Sequence, residues 1–109
     1  MNNYIYTIYQ VEAKEKFAFM SWRWAKKIEW SFEPYKIEWG GNEIAKDDYD
    51  LLEHLFVKFN INRPDEFIGH SMSISDIVKI CTSTNRDKAK YYYCDVCGWV
   101  DITKEIKGE

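Results

Sequence analysis

A chain of 109 residues has the size of one domain with one core, and its length excludes a second independent unit over residues 1–109. Hydrophobic residues make up 46% and charged residues 30%, with only 2 Pro and 5 Gly, which excludes a disordered tail. The net charge of −3 excludes general attraction to phosphate or anionic lipid, leaving only a local basic patch as a route to either.

In chain order, Tyr4 to Val11 alternates with Tyr4, Tyr6 and Ile8 on one face and Ile5, Thr7 and Tyr9 on the other, predicting a strand covered on both faces. Lys14, Glu15 and Lys16 interrupt it, and the apolar run Phe17 to Trp22 predicts a second strand. Trp22 to Trp30 fits helical spacing and alternation almost equally well. Tyr35 to Trp39 alternates again and meets Gly40-Gly41-Asn42, a cluster that predicts a turn because glycine tolerates positive φ.

The spacing of Leu51, Leu52, Leu55, Phe56 and Phe59 draws one apolar stripe and predicts a helix from about Asp48 to Phe59. Asp47, Asp48 and Asp50 supply its cap and a favourable N-terminal charge. Pro64 and the flanking asparagines end it. Ser71 to Asp76 alternates small polar with apolar residues, Ile77 to Cys81 reads as a buried strand, and Lys90 to Cys94 as its hairpin partner across the polar loop Thr82 to Ala89. Trp99 to Thr103 predicts one more short strand. The expected class is α+β: a small antiparallel sheet with one main helix packed on it.

Three cysteines without the basic-then-apolar order of a secretory signal argue against a disulfide scaffold, and no stretch approaches the ~20 apolar residues of a membrane span. The chain therefore reads as cytoplasmic. Cys94-Asp95-Val96-Cys97-Gly98 has the spacing of a zinc knuckle, in which two thiolates on a tight turn grip one ion. Cys81, returned toward Cys94 by the hairpin, and His70, just ahead of it, complete an expected set of four ligands. His54 is the competing imidazole. Three thiolates and an imidazole leave no open position, so the expected Zn2+ is structural, with the CxxC zinc knuckle part of the fold. A redox role for the pair fits less well, because it precedes strand-like Gly98 to Ile102 rather than a helix N-terminus.

Other chemistry is thinly supplied. Ser71, Ser73 and Ser75 near His70 and Asp76 lack a nucleophile elbow, and there is no phosphate-binding glycine loop, so no enzyme is expected. Glu43, Asp47, Asp48, Asp50 and Glu53 against Lys46 give a local charge of −4, a surface that could meet a basic groove on another protein. Arg23, Lys26 and Lys27 among Trp22, Trp24 and Trp30 mix basic and aromatic residues as single-strand binders do, but Glu29 and Glu33 flank them.

Leu52 to Ile102 resembles the YodL-like domain of mobile-element and plasmid proteins. The likeness rests on Phe59-Asn60-Ile61-Asn62-Arg63-Pro64, on Gly69 to Val78, and on Tyr92-Tyr93-Cys94-Asp95 with Gly98-Trp99; Tyr9-Gln10-Val11 and Phe19-Met20 match more loosely. The cysteine pair departs from that pattern, so zinc would be a feature of this member. The genetic setting implies an inhibitor of host defence that acts as a monomer by stoichiometric protein binding. The expected form is an anti-CRISPR that blocks DNA loading or cleavage by a Cas9-type nuclease, without direct nucleic-acid contact. The alternative is a regulatory zinc module that binds nucleic acid itself through Trp22, Arg23 and Lys27.

Overall fold

The computed structural model describes residues 1–108. The strands β1 (Asn2–Gln10), β2 (Lys36–Ala45), β3 (Ile77–Thr82), β4 (Lys90–Asp95) and β5 (Gly98–Asp101) form one antiparallel sheet in the order β2-β1-β3-β4-β5. Helices α1 (Trp22–Ala25), α2 (Asp48–Ile61) and α3 (Thr103–Lys107) accompany it. Both β2 and β3 pair with β1, so α2 carries the chain from one side of β1 to the other. The expected α+β class holds, with α2 as the main helix.

Period-two alternation in β1 divides the interior. Tyr4, Tyr6 and Ile8 join Leu51, Leu52, Leu55 and Phe59 of α2, with Val78, Ile80 and Tyr92 from neighbouring strands, in one core. Asp47 caps α2 by accepting a hydrogen bond from the Asp50 amide at 2.8 Å. Asp48 then ties the first turn to the sheet, accepting from Tyr4 Oη at 3.0 Å and Tyr92 Oη at 2.7 Å.

The opposite face of β1, β3 and β4 carries Tyr9, Ile77 and Tyr93, and it is covered by the excursion between β1 and β2. Val11, Phe17, Trp22, Ala25 and Tyr35 are buried there with Ile102, and Trp30 and Phe32 are packed against them. The second strand expected over Phe17 to Trp22 does not form. Both neighbours of β1 are already taken, and the segment instead closes successive turns through Ala18 N–H to Glu15 O at 3.0 Å and Met20 N–H to Phe17 O at 3.1 Å. α1 follows as a single helical turn.

The turn expected at Gly40-Gly41 is also corrected. β2 runs straight through both glycines, with Gly40 opposite Thr7 and Gly41 opposite Tyr6. A Cβ on Gly41 would stand 2.9 Å from Tyr6 Oη, so the glycine is needed for the close approach of a tyrosine ring rather than for a reversal. The expected helix and the hairpin of β3 and β4 are found, the helix extending to Ile61. Among the described residues no helix is long and apolar enough to cross a membrane.

Candidate functional site

The four expected metal ligands are not gathered. Cys81 pairs with Ile5 at the loop end of β3, whereas Cys94 lies at the far end of β4, its amide donating to Asp76 O at 2.8 Å. Five residues of strand separate the levels of Asp76 and Cys81, roughly 16 Å at ~3.3 Å per residue. Alternation also puts them on opposite faces, Cys81 with Ile77 and Cys94 with Tyr92. Cys97 is exposed in the turn between β4 and β5, where Gly98 adopts φ 112°. Among the described residues no three His, Cys, Asp or Glu side chains form a metal-holding group.

Cys94 is buried, and burial, then the nearby carboxylates of Asp76, Asp95 and Glu53, push its thiol up to about 12. The spacing that reads as a knuckle is used here as a hairpin turn. Asp95 Oδ1 accepts the Val96 amide at 2.8 Å and the Trp22 amide at 3.3 Å, so the turn also holds the start of α1. Among the described residues His54 pairs only with Asp50, at 3.7 Å on the surface of α2.

His70 belongs to a different constellation, built by the segment Gly69 to Asp76. Asp76 is fully buried and its Oδ2 accepts from Ser73 N–H at 2.8 Å and Gln10 Nε2 at 3.0 Å. Gln10 Nε2 spends its second hydrogen on His70 O at 2.9 Å. His70 Nδ1 lies 2.7 Å from Ser71 O; a carbonyl only accepts, so Nδ1 carries a proton and Nε2 is left facing Asp76 Oδ1 at 3.9 Å. Asp76 Oδ1 and Gln10 Oε1 have no donor among the described residues. Burial raises the Asp76 carboxyl to about 7 against the lowering by its hydrogen bonds and by His70.

Two of the three serines near this pair, Ser73 and Ser75, are committed to the backbone rather than set up as nucleophiles. Ser73 Oγ donates to Ser71 O at 2.8 Å, and Ser75 Oγ accepts the Phe19 amide at 2.9 Å. Ser75 and Phe19 both sit at positive φ, 85° and 64°, and Tyr35 Oη donates to Ser75 O at 2.6 Å. Asp76 and Ser75 thus join β1, β4, the Gly69 loop and the aromatic excursion at one point. A Cβ on Gly69 would overlap Gln10 Oε1, so that glycine lets the loop close over Gln10.

A sequence model of the YodL-like domain matches residues 5–104. The chain belongs to the YodL-like domain family. No curated protein and no solved structure matches it. On this YodL-like domain, the residues of the resemblance from Gly69 to Val78 are the ones that build the Asp76 junction and enter β3, and Tyr92 to Asp95 lead to the turn that holds α1.

Two surface features complete the candidate site. Trp22 and Trp30 lie within the second core, their rings 5.0 Å apart, while Trp24 is 58% exposed with Lys27 Nζ 4.9 Å from its ring centre. Arg23, Lys26 and Lys27 are exposed beside it, and among the described residues no carboxylate lies within ion-pair distance of them. On the other side of the sheet, α2 carries a second apolar arc. Phe56, expected in the core stripe, lies about 140° around from Leu51 at ~100° per residue and is 38% exposed. It is continued outward by exposed Tyr49, Val57 and Ile61, with Glu53 on the same arc and Asp47 at the cap. The sequence reading missed this arc and Gln10; spacing by 7 and 8 from Tyr49, and the polar residue on the Tyr4-Tyr6-Ile8 face, were the available signals.

Proposed function

We propose that this YodL-like domain acts by stoichiometric protein binding through the outer arc of α2. The observation that carries the reading is the run of Tyr49, Phe56, Val57 and Ile61, exposed on a helix whose inner face is already filled by Leu51, Leu52, Leu55 and Phe59. Apolar residues of this size left uncovered on a well-packed helix suit an anchor for a partner. Glu53 and Asp47 flank them, so the complementary surface is apolar with lysine or arginine at its rim. Nucleic-acid-handling enzymes expose lysine and arginine where their substrate lies, which supplies the charged part of that surface. The proposed role is inhibition of a host defence enzyme, a Cas9-type nuclease first, by occupying the groove that loads DNA.

The test is complex formation by size-exclusion chromatography and calorimetry against a panel of purified host nucleases, with a DNA-cleavage assay in parallel. A 1:1 complex is expected, weakened at least ~10-fold by Val57→Lys and untouched by Ile37→Lys, an exposed apolar position on β2. No complex with any nuclease, together with uninhibited cleavage, would remove the proposal.

A further inference from the structure

The two exposed apolar patches lie on opposite sides of the sheet and carry opposite charge. On the α2 side, Tyr49, Val57 and Ile61 stand beside Glu53 and Asp47; on the α1 side, the Trp24 indole stands beside Arg23, Lys26 and Lys27. The α1 patch is held firmly, because the same turn buries Trp22 against Trp30 and Tyr93 at 5.0 Å each and receives Asp95 at its start. A large exposed aromatic on a fixed turn, with cations that lack carboxylate partners, fits an acidic surface with an apolar centre. The α2 arc has that chemistry.

We infer that the α1 patch of one copy docks on the α2 arc of a second copy. Because the two patches face opposite ways across the sheet, the contact is head-to-tail and leaves a free patch at each end, so copies add one after another instead of closing as a twofold dimer. The contact is anchored by one indole and a few rim charges, which makes it weak and salt-sensitive. The inference shares the α2 arc with the proposed function but not the partner; a basic partner and a second copy compete for the same residues.

Sedimentation velocity over a wide concentration range tests it. The wild-type chain is expected to sediment faster as concentration rises at about 50 mM salt, with association weakened ~10-fold or more at about 500 mM. Trp24→Glu and Val57→Lys, each at an exposed position, should each sediment as monomers. Their equimolar mixture should yield a dimer and nothing larger, since each variant keeps the patch that the other has lost. That mixture also reports that both variants are folded. A wild type whose sedimentation is independent of concentration overturns the inference, as does a mixture that stays monomeric. A single-stranded oligothymidylate that binds a monomeric wild type, and does so through Trp24, overturns it in favour of nucleic acid as the occupant of the α1 patch. A chain that remains monomeric yet complexes with a nuclease sinks this inference alone.

Discussion

The two faces of the sheet are ordered by different means. The α2 face is organised by backbone regularity: a capped helix repeats its leucines against alternating residues of β1, and the interior is filled by Leu51, Leu52, Leu55 and Phe59. The opposite face is covered by residues 11–35, which have one helical turn and are fixed by separate anchors. Tyr93 Oη donates to Met20 O and Tyr35 Oη to Ser75 O, both at 2.6 Å, and Ser75 and Asp95 side chains accept the Phe19 and Trp22 amides. A regular element distributes its stability over many equivalent contacts. An irregular one concentrates it in a few hydrogen bonds, each of which leaves a buried group unpaired when lost.

The largest expected loss lies on the helical side. Phe59 is fully buried and meets the rings of Tyr6, Trp39 and Phe67 edge-on, at centroid distances of 6.4, 6.2 and 4.9 Å. Phe59→Ala is expected to cost about 3–5 kcal/mol by chemical denaturation and to lower the stability of the whole domain. A loss confined to α2 would show that the two faces unfold independently.

The next effect is on the junction between the faces, and it depends on pH. Asp76 has its carboxyl raised from 3.8 to about 7 by burial, so the fold favours the protonated form. Its contribution is fully present below about pH 4 and is lost as pH rises through about 7. With ~1.4 kcal/mol for each pH unit between the unfolded and folded values, the wild type should lose on the order of 4 kcal/mol relative to Asp76→Asn across that window, measured as the difference between their urea unfolding free energies. A pH-independent difference would mean that Asp76 is ionised throughout, with the His70 ring closing on its Oδ1.

How far the sequence reveals this architecture follows from the same contrast. The helix is legible because Leu51, Leu52, Leu55 and Phe59 repeat at its period, and β3 and β4 because their apolar runs flank a polar loop. The excursion is illegible because nothing periodic specifies it: Phe17 to Trp22 has the composition of a strand, but the edges of β1 are taken by β2 and β3. Gly40-Gly41 misleads for a related reason, since only the three-dimensional position of Tyr6 explains Gly41. At the candidate site, Asp76 and His70 stand close in sequence and meet in space, while Gln10, which binds both, comes from a distant strand. Cys81 and Cys94 are joined by a real hairpin, yet register and strand parity, invisible in spacing alone, hold them apart.

Smaller effects are expected from single anchors on the irregular face. Tyr35→Phe removes the bond to Ser75 O and leaves that buried carbonyl unpaired, at a cost of about 1–3 kcal/mol. Amide hydrogen exchange should locate the change, with faster exchange at Ala18, Met20 and Ala25 and little change within α2. Uniform acceleration across both faces would show that the anchors stabilise the sheet as much as the excursion.

The smallest expected effect is the most diagnostic for the cysteine pair. In a structural zinc site Cys94 and Cys97 would be equivalent ligands, and removing either would be severe. Here Cys94 is buried with its thiol raised to about 12, whereas Cys97 is exposed in a turn. Cys97→Ser should therefore change stability by no more than about 0.5 kcal/mol. A disulfide-exchange reagent should titrate Cys97 in the native protein and reach Cys94 only on unfolding, because thiolate character and access govern the rate. Equal and large losses for Cys94→Ser and Cys97→Ser, with metal released in proportion to unfolding, would restore the zinc reading and require the turn to rearrange around the ion. Unequal losses leave Asp95 and Gly98, rather than a metal, as what shapes the hairpin that holds the first turn of α1.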